Sequence, residues 1–315
     1  MSGMTNAIDT ASRRSMPARS TDKRKSTQAR KLELKGYAFA CPAALLLLCI
    51  YIIPLIALLA MSLTDYRLGA IATEFVGLEN FSQAFSDPVF RRAFTNTLLY
   101  VAIVIPFGVG LALFIATLIH RRVRSRSFYE VIYFLPVTST LVAMATVWQF
   151  ILHPSLGPVN ALLKSFGFDE IAFLSNPTLI IPTLAVIGIW QVIGFNIILF
   201  LAGLSAIPRD LYDAAQVDGV QRPLDRFLTV TWPMLGPTVM FVAVTTSITA
   251  FKVFETVAVL TRGRDGSEVL LYALYLEGFE YFEMGYAAAL TLIFLAFVLF
   301  LSIGQALHLD RKVHY

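Results

Sequence analysis

Charged residues are scarce in this 315-residue sequence. Asp, Glu, Lys and Arg supply 15% of it, whereas an average soluble domain has about 25%. Hydrophobic residues make up 57%, and the mean hydropathy is +0.69. Several apolar runs exceed about 18 residues, the length that indicates a membrane-spanning helix. This composition excludes an ordinary soluble globular protein and predicts a helical integral membrane protein.

Several motifs of enzymes and nucleotide-binding proteins are missing. The sequence has no GxxxxGK[ST], so we do not expect this chain to bind ATP through a P-loop. HExxH, CxxC and GxSxG are absent as well, and the four histidines are scattered over loops and ends. We therefore expect no enzyme activity, no catalytic residue, no metal site and no cofactor bound by this chain.

Cysteine is limited to two residues. Cys41 and Cys49 both lie in the first apolar run. A disulfide or a metal site is not indicated by this pair, and we predict two buried, unreactive thiols.

Six apolar segments organise the rest of the chain. We place them at residues 36–63, 94–119, 128–152, 178–205, 236–260 and 285–308. The predicted domains are a basic tail at residues 1–35, a six-span transmembrane domain at residues 36–308 and a short tail at residues 309–315. An all-α transmembrane fold follows from this pattern.

The distribution of positive charge predicts the orientation. Residues 1–35 hold nine Lys and Arg against three acidic residues, which indicates a disordered tail that binds anionic lipid rather than nucleic acid; a regulatory role is the alternative. With the N-terminus inside, the inner segments carry 18 Lys and Arg and the outer segments six. Both termini are therefore predicted to be cytoplasmic.

Residues 206–235 form the most polar internal segment. We predict two short helices, the first with Pro208 at its first position and ended by Gly219, the second opened by Pro223 with its body at residues 224–232. The small side chains of Ala214 and Ala215 would let this first helix approach a partner surface closely. The alternative is a solvated loop helix that covers its own bundle.

Two ionisable residues fall within the fifth apolar segment. Lys252 and Glu255 are three residues apart, which places them on one face of a continuous helix. They form either an ion pair near the membrane surface or part of the polar wall of a transport path. The tyrosines of residues 261–284 are similarly open to two interpretations, an interfacial belt or the floor of a sugar path.

A known family matches the order of these features. The motif Asp213-Ala214-Ala215-x-x-Asp218-Gly219, followed by Phe227, Trp232-Pro233 and Pro237, resembles the EAA coupling loop of ABC-importer permeases. Flanking stretches at residues 75–81, 96–98, 202–208 and 282–289 resemble the carbohydrate group of these permeases, which includes maltose and glycerol-phosphate transporters. Asp213 stands where that family usually has Glu, Val220 where it usually has Ala, and residues 262–266 replace its glycine-rich stretch.

The resemblance implies a fold, partners and a location. It implies a type I importer permease with a cytoplasmic coupling helix, in a bacterial inner membrane. The implied partners are a second homologous permease, two ATP-binding subunits that hold ATP and Mg²⁺, a soluble solute-binding protein, a sugar-like solute and membrane lipid. The implied ATPase-coupling residues are Pro208, Tyr212, Asp213, Ala214, Ala215, Asp218, Gly219, Phe227 and Pro233.

The resemblance and residue polarity together predict the solute path. The family's solute contacts map to Gln191, Val192, Phe195, Thr246 and Ala250, and polarity adds Asn196, Thr249, Lys252 and Glu255. The predicted solute is a sugar, a polyol or a sugar derivative, and a glycerol-phosphate-like or sulfosugar-like anion stays open. The alternatives are a secondary carrier driven by an ion gradient and a membrane scaffold without transport activity. The small number of acidic residues in the spans argues against the carrier.

Overall fold

The computed structural model describes residues 35–37, 39–122 and 126–310. Except for Lys35, the predicted basic tail lies outside the described residues, as do residues 311–315 of the second tail. The chain divides into two compact units, residues 1–57 and 58–315.

The described part of the first unit is the start of one apolar helix, α1 (Phe39–Ser62). Its backbone widens to a π-helix at Leu48–Ile52. The described side chains of this unit are all exposed, and they include both cysteines. The prediction that Cys41 and Cys49 are buried is therefore wrong. A lipid-facing position and a core position are equally apolar, so the hydrophobic run could not distinguish them.

The second unit is built from helices. They are α2 (Glu79–Ser86), α3 (Pro88–His120), α4 (Arg126–Thr138), α5 (Leu141–Ile151), α6 (Pro158–Ser165), α7 (Ile180–Ala206), α8 (Arg209–Val217), α9 (Pro223–Arg226), α10 (Gly236–Phe251), α11 (Glu255–Leu260), α12 (Leu270–Tyr275) and α13 (Met284–Asp310). π-Helical turns follow α9 at Phe227–Thr231 and α12 at Leu276–Glu280. The fold is thus all-α, as predicted.

Five helical stretches are long and apolar enough to cross a membrane: Phe39–Ser62, Pro88–His120, Ile180–Ala206, Gly236–Leu260 and Met284–Gln305. They overlap five of the six predicted segments. The remaining segment, residues 128–152, is not one helix, because α4 and α5 meet at an angle of 99°. Pro136 lies in the last turn of α4 and cannot donate a backbone hydrogen bond. The predicted segment at residues 128–152 therefore corresponds to a bent pair of helices.

The N-terminus of α3 has the signals of a helix start. The Asp87 carboxylate accepts a hydrogen bond from the backbone N–H of Val89 at 2.8 Å, and Pro88 occupies the first helical position. An N-cap carboxylate accepts a hydrogen bond from one of the unpaired N–H groups of the first turn, and a proline after it has no N–H to leave unpaired. Helix α3 therefore begins at Pro88 and continues to His120 without a break.

Helix α7 lies at the centre of the second unit. It packs along α3 and against α4, and α10 packs against both α7 and α3. Two glycines permit these close approaches: a side chain at Gly188 would overlap the Tyr100 phenol, and one at Gly194 would overlap the backbone carbonyl of Tyr133. Bulky residues surround them, with Leu184 and Ile197 fully buried.

Candidate coupling loop and translocation path

The loop at residues 206–235 begins with α8, which is bounded as the sequence suggested. Pro208 precedes the helix as its N-cap, one position before the predicted place, with an extended backbone. Gly219 has φ +87°, a conformation that favours glycine. The N–H of Gly219 donates to the Gln216 carbonyl at 3.2 Å and that of Val220 to the Ala215 carbonyl at 2.9 Å. These two bonds form a Schellman motif, which confirms that the helix ends at this glycine.

Helix α8 packs one face against its own chain and leaves the opposite face exposed. Ala215 is buried in a core cluster with Leu204 and Leu235. The Tyr212 hydroxyl lies 3.1 Å from the hydroxyl of Thr231. Ala215 and Tyr212 therefore contact this chain, and Ala215 does not provide the close fit to an outside partner that we expected of it.

The outward face carries three further predicted coupling residues. Asp213, Ala214 and Asp218 are all exposed. Val217 is 88% exposed, although it is apolar. A nine-residue helix that presents an apolar side chain and a small one beside two carboxylates has the character of a docking surface.

The return from α8 to the membrane differs from the predicted helix at residues 224–232. Pro223 opens α9 as predicted, but the α-helix ends at Arg226. A π-helical turn follows at Phe227–Thr231, and then a three-residue α-helical turn at Trp232–Met234. Pro233 has no N–H for the carbonyl four residues earlier, so a regular ladder cannot pass through it. The rings of Phe227 and Trp232 lie 6.2 Å apart on this turn.

The predicted path residues line two adjoining cavities. The larger, about 360 Å³, is lined by Gln191, Val192, Thr249, Ala250, Lys252 and Glu255, together with Tyr100, Leu141 and Phe254 among others. The smaller, about 200 Å³, is lined by Gln191, Val192, Phe195, Asn196, Thr246, Thr249, Val137 and Thr245. The structure thus brings all nine predicted path residues together between α7 and α10.

The buried part of this wall is satisfied within the chain. The amide nitrogen of Asn196 donates to the hydroxyl of Thr246 at 3.0 Å and to the carbonyl of Gly108 at 3.3 Å. Both side chains are 2% exposed. Since one amide joins α3, α7 and α10, we assign Asn196 and Thr246 a structural part in the wall. Gln191, Thr249, Lys252 and Glu255 are the polar groups that stay accessible.

Lys252 and Glu255 do not share a helical face. Helix α10 ends at Phe251, residues 252–254 are irregular, and Glu255 begins α11. Neither residue takes part in an ion pair among the described residues. The predicted i,i+3 pair on a continuous helix is therefore wrong, and both charges lie at the lining of the larger cavity.

Aromatic residues cluster around Phe254, which lines the larger cavity, and sequence reasoning missed their arrangement. The Phe254 ring lies 5.9 Å from Tyr272 and 5.3 Å from Tyr275, which stacks on Phe279 at 5.5 Å. Tyr272 is buried and burial raises its pKa. An interfacial belt, one of the two interpretations of these tyrosines, therefore describes the exposed Tyr275 better than the buried Tyr272. The spacing of these aromatic residues in the sequence would have indicated the cluster only if the start of α11 had been known.

Comparisons with known proteins agree with this geometry. Residues 108–315 match the family model described as binding-protein-dependent transport system inner membrane component. A probable ABC transporter permease, YesP of Bacillus subtilis, is 36% identical over 93% of this chain and 96% of its own length. The sn-glycerol-3-phosphate transport system permease UgpA of Pectobacterium atrosepticum is 30% identical over 89% and 95%.

A solved structure shares the fold. A bacterial alginate ABC transporter, in complex with an alginate pentasaccharide-bound periplasmic protein, matches with a TM-score of 0.79 at 25% identity, over 91% of this chain and 97% of that one. The predicted ABC-importer permease fold is confirmed. These likenesses also support an ATP-driven importer over a secondary carrier driven by an ion gradient. The chain belongs to the family of inner membrane components of binding-protein-dependent transport systems, as a permease subunit of the ABC type.

Proposed function

We propose that this chain forms half of the translocation path of an ATP-driven importer for an acidic carbohydrate or sugar phosphate. The observation that carries the proposal is the wall between α7 and α10, where Gln191 and Thr249 offer hydrogen bonds and Lys252 a positive charge to one cavity. The relatives named for sn-glycerol-3-phosphate and alginate transport both handle anionic solutes. Phe254 adds an apolar ring at the same lining.

The two charges of the cavity have different roles in this proposal. Lys252 attracts the anionic group of the solute, and Glu255 accepts hydrogen bonds from its hydroxyls. Because the two side chains are not paired, each is free to contact solute. Lys252→Gln should lower the solute-stimulated ATPase activity for an anionic solute more than for its neutral analogue, whereas Glu255→Gln should affect both alike.

The coupling step belongs to residues 206–235. We place this loop in the cytoplasm, since the inner segments carry 18 Lys and Arg and the outer ones six. A partner ATPase would hold the exposed face of α8, around Asp213 and Ala214, in a groove. Closure of the ATPase dimer would then move α8 and rock the bundle between its inward-open and outward-open states. ATP and solute are coupled only to the extent that each favours one state.

The complete transporter requires further subunits. We propose a second homologous permease that closes the other half of the path and two ATP-binding subunits that hydrolyse ATP. A soluble binding protein would deliver solute on the outer side. This chain would itself carry out no hydrolysis.

Co-purification tests the proposal directly. The chain is tagged at its C-terminus, extracted mildly from its native membrane, and its stoichiometric partners are identified by mass spectrometry. The proposal requires a P-loop ATPase and a second permease. Recovery of the chain alone, active in liposomes without ATP, would contradict it and restore the secondary carrier.

A further inference from the structure

A third cavity lies behind the coupling loop, away from the solute path. It measures about 440 Å³ and is lined by Thr117, His120 and Arg121 at the end of α3, Leu204 of α7, Tyr212 of α8, and Gln221, Pro223, Arg226, Phe227 and Thr231 of the return segment. It therefore joins the end of two spans to the helix that we propose to move during transport. None of these lining residues was proposed above to touch solute.

The charge of this cavity is uncompensated. Arg121 and Arg226 both line it, and of the described residues at its lining none is acidic. The four ion pairs within the described part of the chain involve neither arginine. Arginine is always ionised in proteins, so the cavity holds two permanent positive charges without a counter-charge from its own lining.

Two nitrogens beside the cavity are also shielded from water. Nε of Arg226 and Nδ1 of His120 are buried, and neither has a hydrogen-bond partner among the described residues. A partly desolvated guanidinium is costly unless a counter-charge lies close to it. An anion on the remaining N–H groups of Arg226 would supply that charge.

We propose that this cavity binds a phosphate group, which holds the end of α3 against the coupling loop. The planar guanidinium of Arg226 suits the two-point recognition of phosphate oxygens. The hydroxyls of Tyr212 and Thr231 are bonded to each other, which leaves one hydroxyl hydrogen of the pair to donate to the phosphate. Leu204 and Phe227 give an apolar side that fits a glycerol backbone. Two sources share this chemistry, the headgroup of an anionic phospholipid and free phosphate. The inference goes beyond the proposed function. Only the lipid as the source of the phosphate depends on the cytoplasmic placement of residues 206–235 given under that proposal.

The test uses the complete transporter, purified from its native membrane and delipidated in detergent. Its thermal unfolding midpoint is titrated separately with short-chain phosphatidylglycerol, short-chain phosphatidylcholine and inorganic phosphate. We expect a saturable rise with phosphatidylglycerol. Arg226→Gln should weaken the apparent affinity about tenfold, the usual effect of losing one charge-assisted contact. Arg222→Gln is the matched control, since this exposed arginine of the same loop does not line the cavity.

The outcomes separate the sources and the failures. If inorganic phosphate raises the unfolding midpoint as well as the lipid does, and Arg226→Gln weakens its apparent affinity equally, the site is assigned to free phosphate. An equal loss of apparent affinity in Arg222→Gln shows that general surface charge binds the lipid, and it overturns the proposal. The absence of a response to any of the three probes also overturns it and indicates that a partner side chain fills the cavity. If Arg226→Gln does not assemble, Arg121→Gln at the exposed rim gives the same comparison. Subunit composition is measured on each sample, so failure of the importer assignment is visible independently.

Discussion

The two ends of the second unit are held in different ways. At the α12 end (residues 261–283), the connection is hydrogen-bonded to neighbouring helices. The amide of Asn96 donates to the carbonyls of Gly266 and Glu268, both at 2.8 Å, and the N–H of Leu270 donates to the hydroxyl of Thr97 at 2.9 Å. These bonds attach Gly266, the last of the divergent residues 262–266, and the two residues Glu268 and Leu270 to α3.

At the α8 end (residues 206–235), apolar contacts replace such bonds. The described side chains of this segment make no ion pair. The hydrogen bond between Tyr212 and Thr231 joins two residues of the segment itself. Ala215, Val230 and Leu235 provide its attachment to the bundle.

The difference fits the coupling role proposed for the α8 end. Directional hydrogen bonds hold the α12 end in one geometry, because an alternative position would leave buried polar groups unpaired. Apolar packing is not directional, so the α8 end can shift without leaving a polar group unsatisfied. A segment that transmits motion is expected to be attached in the second way.

The largest expected effect is on the α12 end. Asn96→Ala removes two hydrogen bonds and leaves the carbonyls of Gly266 and Glu268 without this donor. We expect the free energy of unfolding to fall by about 3 kcal/mol, measured by thermal unfolding of the purified complex. Thr95→Ala is the control, since this exposed hydroxyl bonds only within its own helix. Equal stability of the two variants would remove the basis of the comparison.

At the α8 end, the expected effect is on coupling instead of stability. Ala214→Leu enlarges an exposed residue of the proposed docking face, so the chain should fold and unfold as before. Transport in proteoliposomes should fall about tenfold, within the usual range of coupling free energies. Ala161→Leu makes the same change on the exposed surface of α6 and should leave transport unaltered. Unchanged transport in Ala214→Leu would contradict the docking of this face.

A smaller effect is expected inside the α8 end. Tyr212→Phe removes the hydrogen bond to Thr231, whose hydroxyl is part of a residue only 6% exposed. The loss should be about 1 kcal/mol in unfolding free energy. The double variant with Thr231→Val should lose little more than Tyr212→Phe alone. Additive losses would show that the two hydroxyls do not interact.

The long helices could be predicted from the sequence, but their breaks could not. Hydrophobic length alone indicates a span, and five of the six predicted segments overlap one. The break at residues 252–254 contains neither glycine nor proline. It is stabilised by tertiary packing, with Val253 buried, and no local signal marks it.

The residues of the candidate sites were likewise predictable from the sequence only in part. Polarity and the family resemblance selected nine residues that the structure places at the lining of two adjoining cavities, because polar groups are rare within spans. Tyr100 and Phe254 also line the path, yet their type does not distinguish them from lipid-facing or core residues. The phosphate cavity was not predicted either, since it is assembled from helix ends far apart in the sequence.

The smallest effect depends on pH and concerns the α12 end. Burial, with the charges of Glu283 and Asp87, raises the pKa of Glu277 to about 7. Between its ordinary pKa and that value, the folded protein retains a proton that the unfolded chain releases, so this residue's contribution to stability falls as pH rises and is constant above about 7. Glu277→Gln should therefore raise the unfolding midpoint relative to wild type at pH 8 and leave the difference near zero at pH 4. Glu280→Gln, an exposed change of the same charge nearby, controls for net charge. A difference between Glu277→Gln and wild type that does not vary with pH would show that the pKa of Glu277 is not raised in the folded protein.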